Sequence, residues 1–285
     1  MSAPAPDAAG AARRERRGLL LRSPTVMTGA AIILFWVVCA LAGPQLVPYD
    51  PYATDILGAL APPSARHWFG TDQLGRDVFS RVVVGARDIL VVAPLATALG
   101  VAGGVVLGLV TGYYRGAVDN GLSRLVDVLL TLPLVIIALL ALAAIGASTA
   151  TVVVVIGVVF TPLVARTVRA AVLSQAALDY VAAARLRGER GPYILFVEIL
   201  PNVAGPILVE ATVRLGYAVF TVATLSFIGF GIQPPSPDWG LAISENYGLI
   251  GGGIWWIVLA NAAAVASLVV GVNLVADGVQ EALAT

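Results

Sequence analysis

Few side chains in this sequence can do chemistry, and most of those that can are arginines and carboxylates set among long apolar runs. Within one such run Glu210 and Arg214 stand four residues apart, a spacing that puts them on one helix face and permits a mutual ion pair. An ionisable side chain inside a bilayer costs about 2.5–3.5 kcal/mol on insertion scales, so such a pair faces protein or a water-filled cavity. It reads either as a buried structural pair or as part of a translocation path. The densest charge is Arg185, Arg187, Glu189 and Arg190, all within six positions. His67 is the single histidine and Cys39 the single cysteine. A histidine without companions at ligand spacing reads as surface or packing, and one cysteine excludes both an intrachain disulfide and a two-thiolate metal site. No Ser-His-Asp set, no working carboxylate pair and no metal cluster is legible, so no catalysis, metal or bound cofactor is expected of this chain.

The elements that position these residues are membrane spans. Hydrophobic residues make up 59% of the 285, and the mean hydropathy is +0.91, whereas soluble domains are roughly 45–50% apolar. All 17 basic residues are Arg. A phosphate-binding Walker A loop needs a Lys, so this chain cannot supply a standard P-loop ATPase. Its formal net charge of zero leaves no electrostatic footprint for nucleic acid.

Residues 1–24, with five arginines, read as a disordered cytoplasmic tail. The uncharged run 25–43 is the first transmembrane helix, too long for the core of a signal peptide. An extracytoplasmic connector, 44–88, follows. Within it Leu74, Val78, Val82 and Ala86 recur at four-residue intervals and predict a short surface helix. Residues 89–285 form a core of five further helices. Ile89 to Tyr114 is one span, and its Gly100, Gly103, Gly104, Gly108 and Gly112 form a stripe along which another helix can approach closely. The 38 uncharged residues from Val128 to Ala165 would run about 57 Å as one helix. The hydrocarbon core is about 30 Å thick, so they must be two helices, turning at Gly146-Ala147-Ser148-Thr149 with Pro133 and Pro162 inside them. A fifth span starts near Pro201 and a sixth covers about 254–276. The fold class is therefore an all-α polytopic membrane protein with six spans. With both termini inside, the inner segments hold twelve Arg and the outer four, which favours a cytoplasmic position for the loop 174–200.

That loop contains Asp179, Tyr180, Val181, Ala182, Ala183, Ala184, Arg185, Leu186, Arg187 and Gly188. Tyr180, Val181, Ala184 and Leu186 can share one apolar side of a short helix, which Gly188 and Gly191-Pro192 would stop. A basic amphipathic helix lying on anionic lipid has the same pattern.

The wording of this loop resembles the cytoplasmic signature of ABC importer permeases. Ala183, Ala184, Gly188, Leu200 and Pro201 fall on its spacing, with Ala182 standing where the family often has Glu and Glu198 where it often has Ile. Two further strings are similar to dipeptide and oligopeptide permeases: Phe69-Gly70-Thr71-Asp72 through Gly85-Ala86-Arg87, and Leu225 through Trp239-Gly240. Asn273-Leu274 and Asp277-Gly278 fit the family's C-terminal wording, whereas Ala260 and Asn261 replace its common Pro-Gly, which implies a straighter last helix. The resemblance implies a multi-pass permease of the cytoplasmic membrane. Its partners would be a second homologous permease, two ATP-binding subunits or domains carrying the ATP and Mg, and an extracytoplasmic substrate-binding protein. Residues 179–188 would be the coupling helix, with Ala184 on its docking side, and the connector would meet the external assembly. Peptides are the implied cargo; the same architecture serves nickel complexes, haem and other small solutes. A secondary transporter would instead need intramembrane carboxylates in paired, broken halves, and only Glu210 and Arg214 are on offer.

Overall fold

The computed structural model describes residues 23–284, so nearly all of the expected 1–24 tail lies outside the described residues. These residues are mostly helical, with one isolated bridge, between Thr71 and Asp77, in the irregular connector. The long helices are α1 (Pro24–Leu46), α2 (Val78–Tyr114), α5 (Thr149–Gln175), α7 (Ala204–Ile228) and α9 (Trp256–Ala284). Each is long and apolar enough to cross a bilayer. Between α2 and α5 lie α3 (Gly116–Thr131) and α4 (Leu134–Ile145), a bent pair that makes a sixth crossing if taken as one broken span. The short helices are α6 (Asp179–Leu186) and α8 (Trp239–Asn246).

Two sequence expectations are corrected here. The surface helix expected around 74–86 is not a separate element, because α2 runs unbroken from Val78 for 37 residues. Asp77 starts it, its carboxylate accepting the Ser80 N–H at 2.8 Å. The charges beyond that point do not interrupt it. Arg81 donates to the carbonyls of Pro51 and Ser236, and the Asp88 carboxylate takes the Ser236 hydroxyl. Pro133 is not inside a helix either. The residue before a proline is pushed out of the α region, and Leu132 is extended at ψ 140°, so the chain breaks there and the α3 and α4 axes meet at 92°. The expected turn at 146–149 is present, and Ser148 and Thr151 close a capping box at the start of α5. Pro162 does lie within α5, and α9 runs without a break past Ala260 and Asn261.

The glycine stripe of α2 meets α5. A Cβ on Gly100, Gly108 or Gly112 would come within 2.9, 2.7 and 2.7 Å of Phe160, Val168 and Val172, and one on Gly104 would collide with Val164. The offset is sixty residues at every step, so two parallel helices interlock turn by turn. Side chains absent on α2 let the backbones close to a distance at which dispersion contacts are dense.

The loops sort to two ends. At the connector end, the Trp239 indole donates to the Val82 carbonyl at 2.9 Å and its ring lies edge-on to Trp36 at 4.7 Å. Gln73 donates to the Glu245 carbonyl, and Trp256 to that of Thr71. Asp72 takes the Leu74 and Arg76 N–H groups and the Arg76 side chain; Asp77 pairs with His67. The two strings of family wording therefore meet face to face. Asp72, Asp77 and Arg81 are buried, so these three connector charges are internal struts, whereas Arg66 and Arg87 stay exposed. Asp238 caps α8 by accepting the Leu241 N–H, and its burial pushes its carboxyl up to about 6. The opposite end, here the segment end, holds the residues between α5 and α7. It also holds both described termini, since Gly29 abuts Gly271 and Val26 abuts Gly278.

Candidate functional site

α6 forms where the sequence places it. Asp179 in its first turn and Arg185 in its last complement the helix dipole. Its end is a Schellman motif: Gly188 N–H bonds the Arg185 carbonyl at 3.0 Å and Glu189 N–H that of Ala184 at 3.2 Å. Gly188 sits at φ +79° with nothing near its missing Cβ. Glycine is required there by backbone conformation, not by space. Gly191-Pro192 does not stop α6, as expected from the sequence, but opens the next helical stretch, Gly191–Tyr193, which widens to π geometry over Ile194–Ile199.

One face of α6 is anchored and the other is bare. Val181 and Ala184 are fully buried, in the same apolar cluster as Ile194, Leu195 and Ile199 and the inner residues of α5. Tyr180 is half-buried and donates to the Gln175 side chain at 3.0 Å. Leu186, expected on the same apolar side, is instead 89% exposed. Ala184, expected on the docking side, points inward. The residues left facing out are Asp179, Ala182, Ala183, Arg185, Leu186 and Arg187.

One contact holds the segment on a neighbour and one braces it internally. The Arg185 guanidinium lies over the Tyr113 ring, 4.8 Å from its centre, so the segment rests on the end of α2. Arg187 donates to Glu198 at 3.0 Å. Glu198 is the position that departs from the signature, and its departure supplies this bridge.

Glu210 and Arg214 meet as the spacing predicts, Arg214 Nε donating to Glu210 Oε1 at 2.6 Å. The second carboxylate oxygen accepts the Thr167 hydroxyl of α5 at 3.1 Å. The Arg214 guanidinium also lies against the Tyr217 ring, and Glu210 is buried. Counting from Ala204 at 1.5 Å per residue, Glu210 lies about 9 Å into α7 from the segment end.

A second ion pair escaped the sequence reading. Arg169 of α5 forks onto Asp119 of α3 with two bonds of 2.7 Å, and Ser123 donates to the same carboxylate at 2.7 Å. The spacing of Asp119 and Ser123 was visible, but the partner fifty residues on was not. Among the described residues no group of three or more His, Cys, Asp and Glu is placed to hold a metal ion.

The described residues thus form a multi-span helical bundle with a short charged helix at one end, buried on one side and exposed on the other. Residues 104–285 match the family model described as binding-protein-dependent transport system inner membrane component, and residues 16–63 that of the N-terminal TM domain of oligopeptide transport permease C. The chain belongs to this family of inner membrane transport components. It is 34% identical over 270 residues, 95% of this chain and 88% of the relative, to a dipeptide transport system permease protein of Alkalihalophilus pseudofirmus. It is 36% identical over 264 residues to that of Bacillus subtilis, covering 93% and 82%, and 35% identical over 267 residues to a probable D,D-dipeptide transport system permease protein of Escherichia coli, covering 93% and 89%. Membership makes it a multi-pass protein of the cytoplasmic membrane and a permease subunit of an ABC importer, a family that works with ATP-binding and substrate-binding partners.

Proposed function

We propose that this chain carries di- or oligopeptides across the cytoplasmic membrane on ATP hydrolysed by its partners, itself catalysing no covalent step and binding neither ATP nor Mg. The observation that supports this most is α6. Its inward face, Val181 and Ala184, is fully buried while Leu186 stands bare, as a helix must be to transmit a push from a partner's groove. The names of the relatives supply the peptide cargo. The assembly would contain a second homologous permease, two ATP-binding subunits or domains and an extracytoplasmic binding protein. Nucleotide can drive transport only if outward- and inward-open states differ in contacts at α6. Uptake of labelled di- and oligopeptides by the reconstituted complex tests the cargo, and uptake of a metal complex or haem in place of peptide would overturn it.

The segment end faces the cytoplasm in this reading, as the arginine distribution favours. Leu57, fully exposed in a 3-10 turn of the connector, is the place to check it. In a Cys39→Ser background, Leu57→Cys should react with an impermeant thiol reagent from outside only; reaction only from the cytoplasm would invert the topology.

Glu210 and Arg214 are a structural pair in this proposal, because both carboxylate oxygens are already engaged. Removing one partner of a buried pair costs about 3–5 kcal/mol, whereas replacing both is milder. Arg214→Gln alone should therefore assemble worse than Glu210→Gln with Arg214→Gln. An assembled double variant with altered peptide preference would instead place the pair in the translocation path.

A further inference from the structure

The α2–α5 contact is a zipper of apolar side chains against glycine, which fixes the distance between two helices but supplies no directional bond against sliding or rolling. α5 nevertheless leads straight into the segment that carries α6. The bonds that fix its orientation are polar and lie at its segment end. Arg169 reaches Asp119 on α3 through two bonds of 2.7 Å, and Thr167 reaches Glu210 on α7, itself held by Arg214. Residues two apart on an α-helix point about 200° apart around its axis, so the two bonds leave α5 on opposite faces. A helix gripped on opposite faces cannot roll between its neighbours without breaking one grip.

We infer that Asp119–Arg169 and Thr167–Glu210–Arg214 are paired latches that force α3, α5 and α7 to move as one body with α6, and so set how much substrate moves per ATP. This inference rests on the reading of α6 as the coupling helix. The residues concerned are positioning residues: none needs to touch substrate or nucleotide. The bidentate Arg169–Asp119 geometry is the stronger latch, because a planar guanidinium on a carboxylate fixes orientation as well as distance. The Thr167 hydroxyl, one neutral donor at 3.1 Å, is the weaker.

The test is the ratio of peptide transported to ATP hydrolysed in the complete complex reconstituted in vesicles. Arg169→Gln should leave assembly and basal hydrolysis in place and lower that ratio about tenfold, the upper part of the range for residues that modulate coupling. Asp119→Arg with Arg169→Asp, which restores the pair with its charges exchanged, should recover most of the loss. Thr167→Val, which keeps every charge, should lower the ratio about twofold to threefold, and it carries the test alone if Arg169→Gln fails to assemble. An unchanged ratio, or an exchanged pair no better than Arg169→Gln, overturns the inference. A transport-competent Gly188→Val would overturn the reading of α6 itself, a result that the latch variants cannot produce.

Discussion

The two ends of the molecule use the same kinds of residue in opposite ways. At the connector end one set of charged and aromatic residues turns inward: Arg81, Asp72, Asp77, Asp238 and Trp239 are all buried and bonded to backbone or to one another. At the segment end, Arg185, Arg187 and Leu186 face outward on a helix whose buried face is small and apolar. A buried charge persists only when its bonds are complete, and removing one partner exposes the whole desolvation cost. The connector end is therefore built for rigidity, and the outer face of α6 at the segment end for contact. Damage to the first should appear as lost stability, and damage to the second as lost transport from a stable protein.

The largest effect should come from Trp239→Ala. It empties a fully buried site and removes the indole's bond to the Val82 carbonyl, at a cost of about 3–5 kcal/mol, read as a lower melting temperature of the purified chain in lipid nanodiscs. Should Trp239→Ala melt like the parent, the contrast between the ends is wrong.

Asp238→Asn tests the same end in the other direction. The folded carboxyl titrates near 6 against an ordinary 3.8, chiefly because it is buried, so the group contributes stability that is complete below about pH 4 and lost as pH rises through 6. Asparagine caps a helix as well as aspartate does and carries no charge. Asp238→Asn should then raise stability at pH 7.5 by up to about 3 kcal/mol, from a shift of about two units, and flatten the pH dependence between 4 and 7. A melting temperature that falls at pH 7.5 would refute the assignment.

Gly188→Val forces a side chain into the left-handed region at a cost of about 1–2 kcal/mol. Its larger consequence should be functional, with transport abolished and the ATP-binding subunits loosened while membrane insertion stays normal. Leu186→Glu should change stability by no more than about 0.5 kcal/mol, since the side chain is exposed. Co-purification of the ATP-binding subunits should nevertheless be lost; their retention would show that Leu186 is not on the docking face.

Much of this was legible beforehand, and for identifiable reasons. Hydropathy and length dictate spans, because a bilayer sets both. The turn at 146–149, the glycine stripe and the i,i+4 pair of Glu210 and Arg214 are local patterns with local causes. So was α6, whose caps lie within its own ten residues. Its faces were less secure, because eight residues give two turns, and Leu186 could be assigned to either side until its neighbours were in place.

By itself the sequence determined that this is a polytopic helical, permease-like chain with a glycine-terminated charged helix after the span that ends at Gln175, since each of these depends on residues close together in the chain. Only the tertiary structure decided that α2 runs unbroken from Val78, that Asp72, Asp77 and Arg81 are internal struts, that Ala184 turns inward while Leu186 stands out, and that α5 is held on opposite faces by Asp119 and Glu210. Most of those depend on a partner far away in sequence: Ser236 for Arg81, Trp239 for Val82, Arg169 for Asp119. A charge in a sequence marks a cost, and the partner that offsets it becomes known only when the chain has folded.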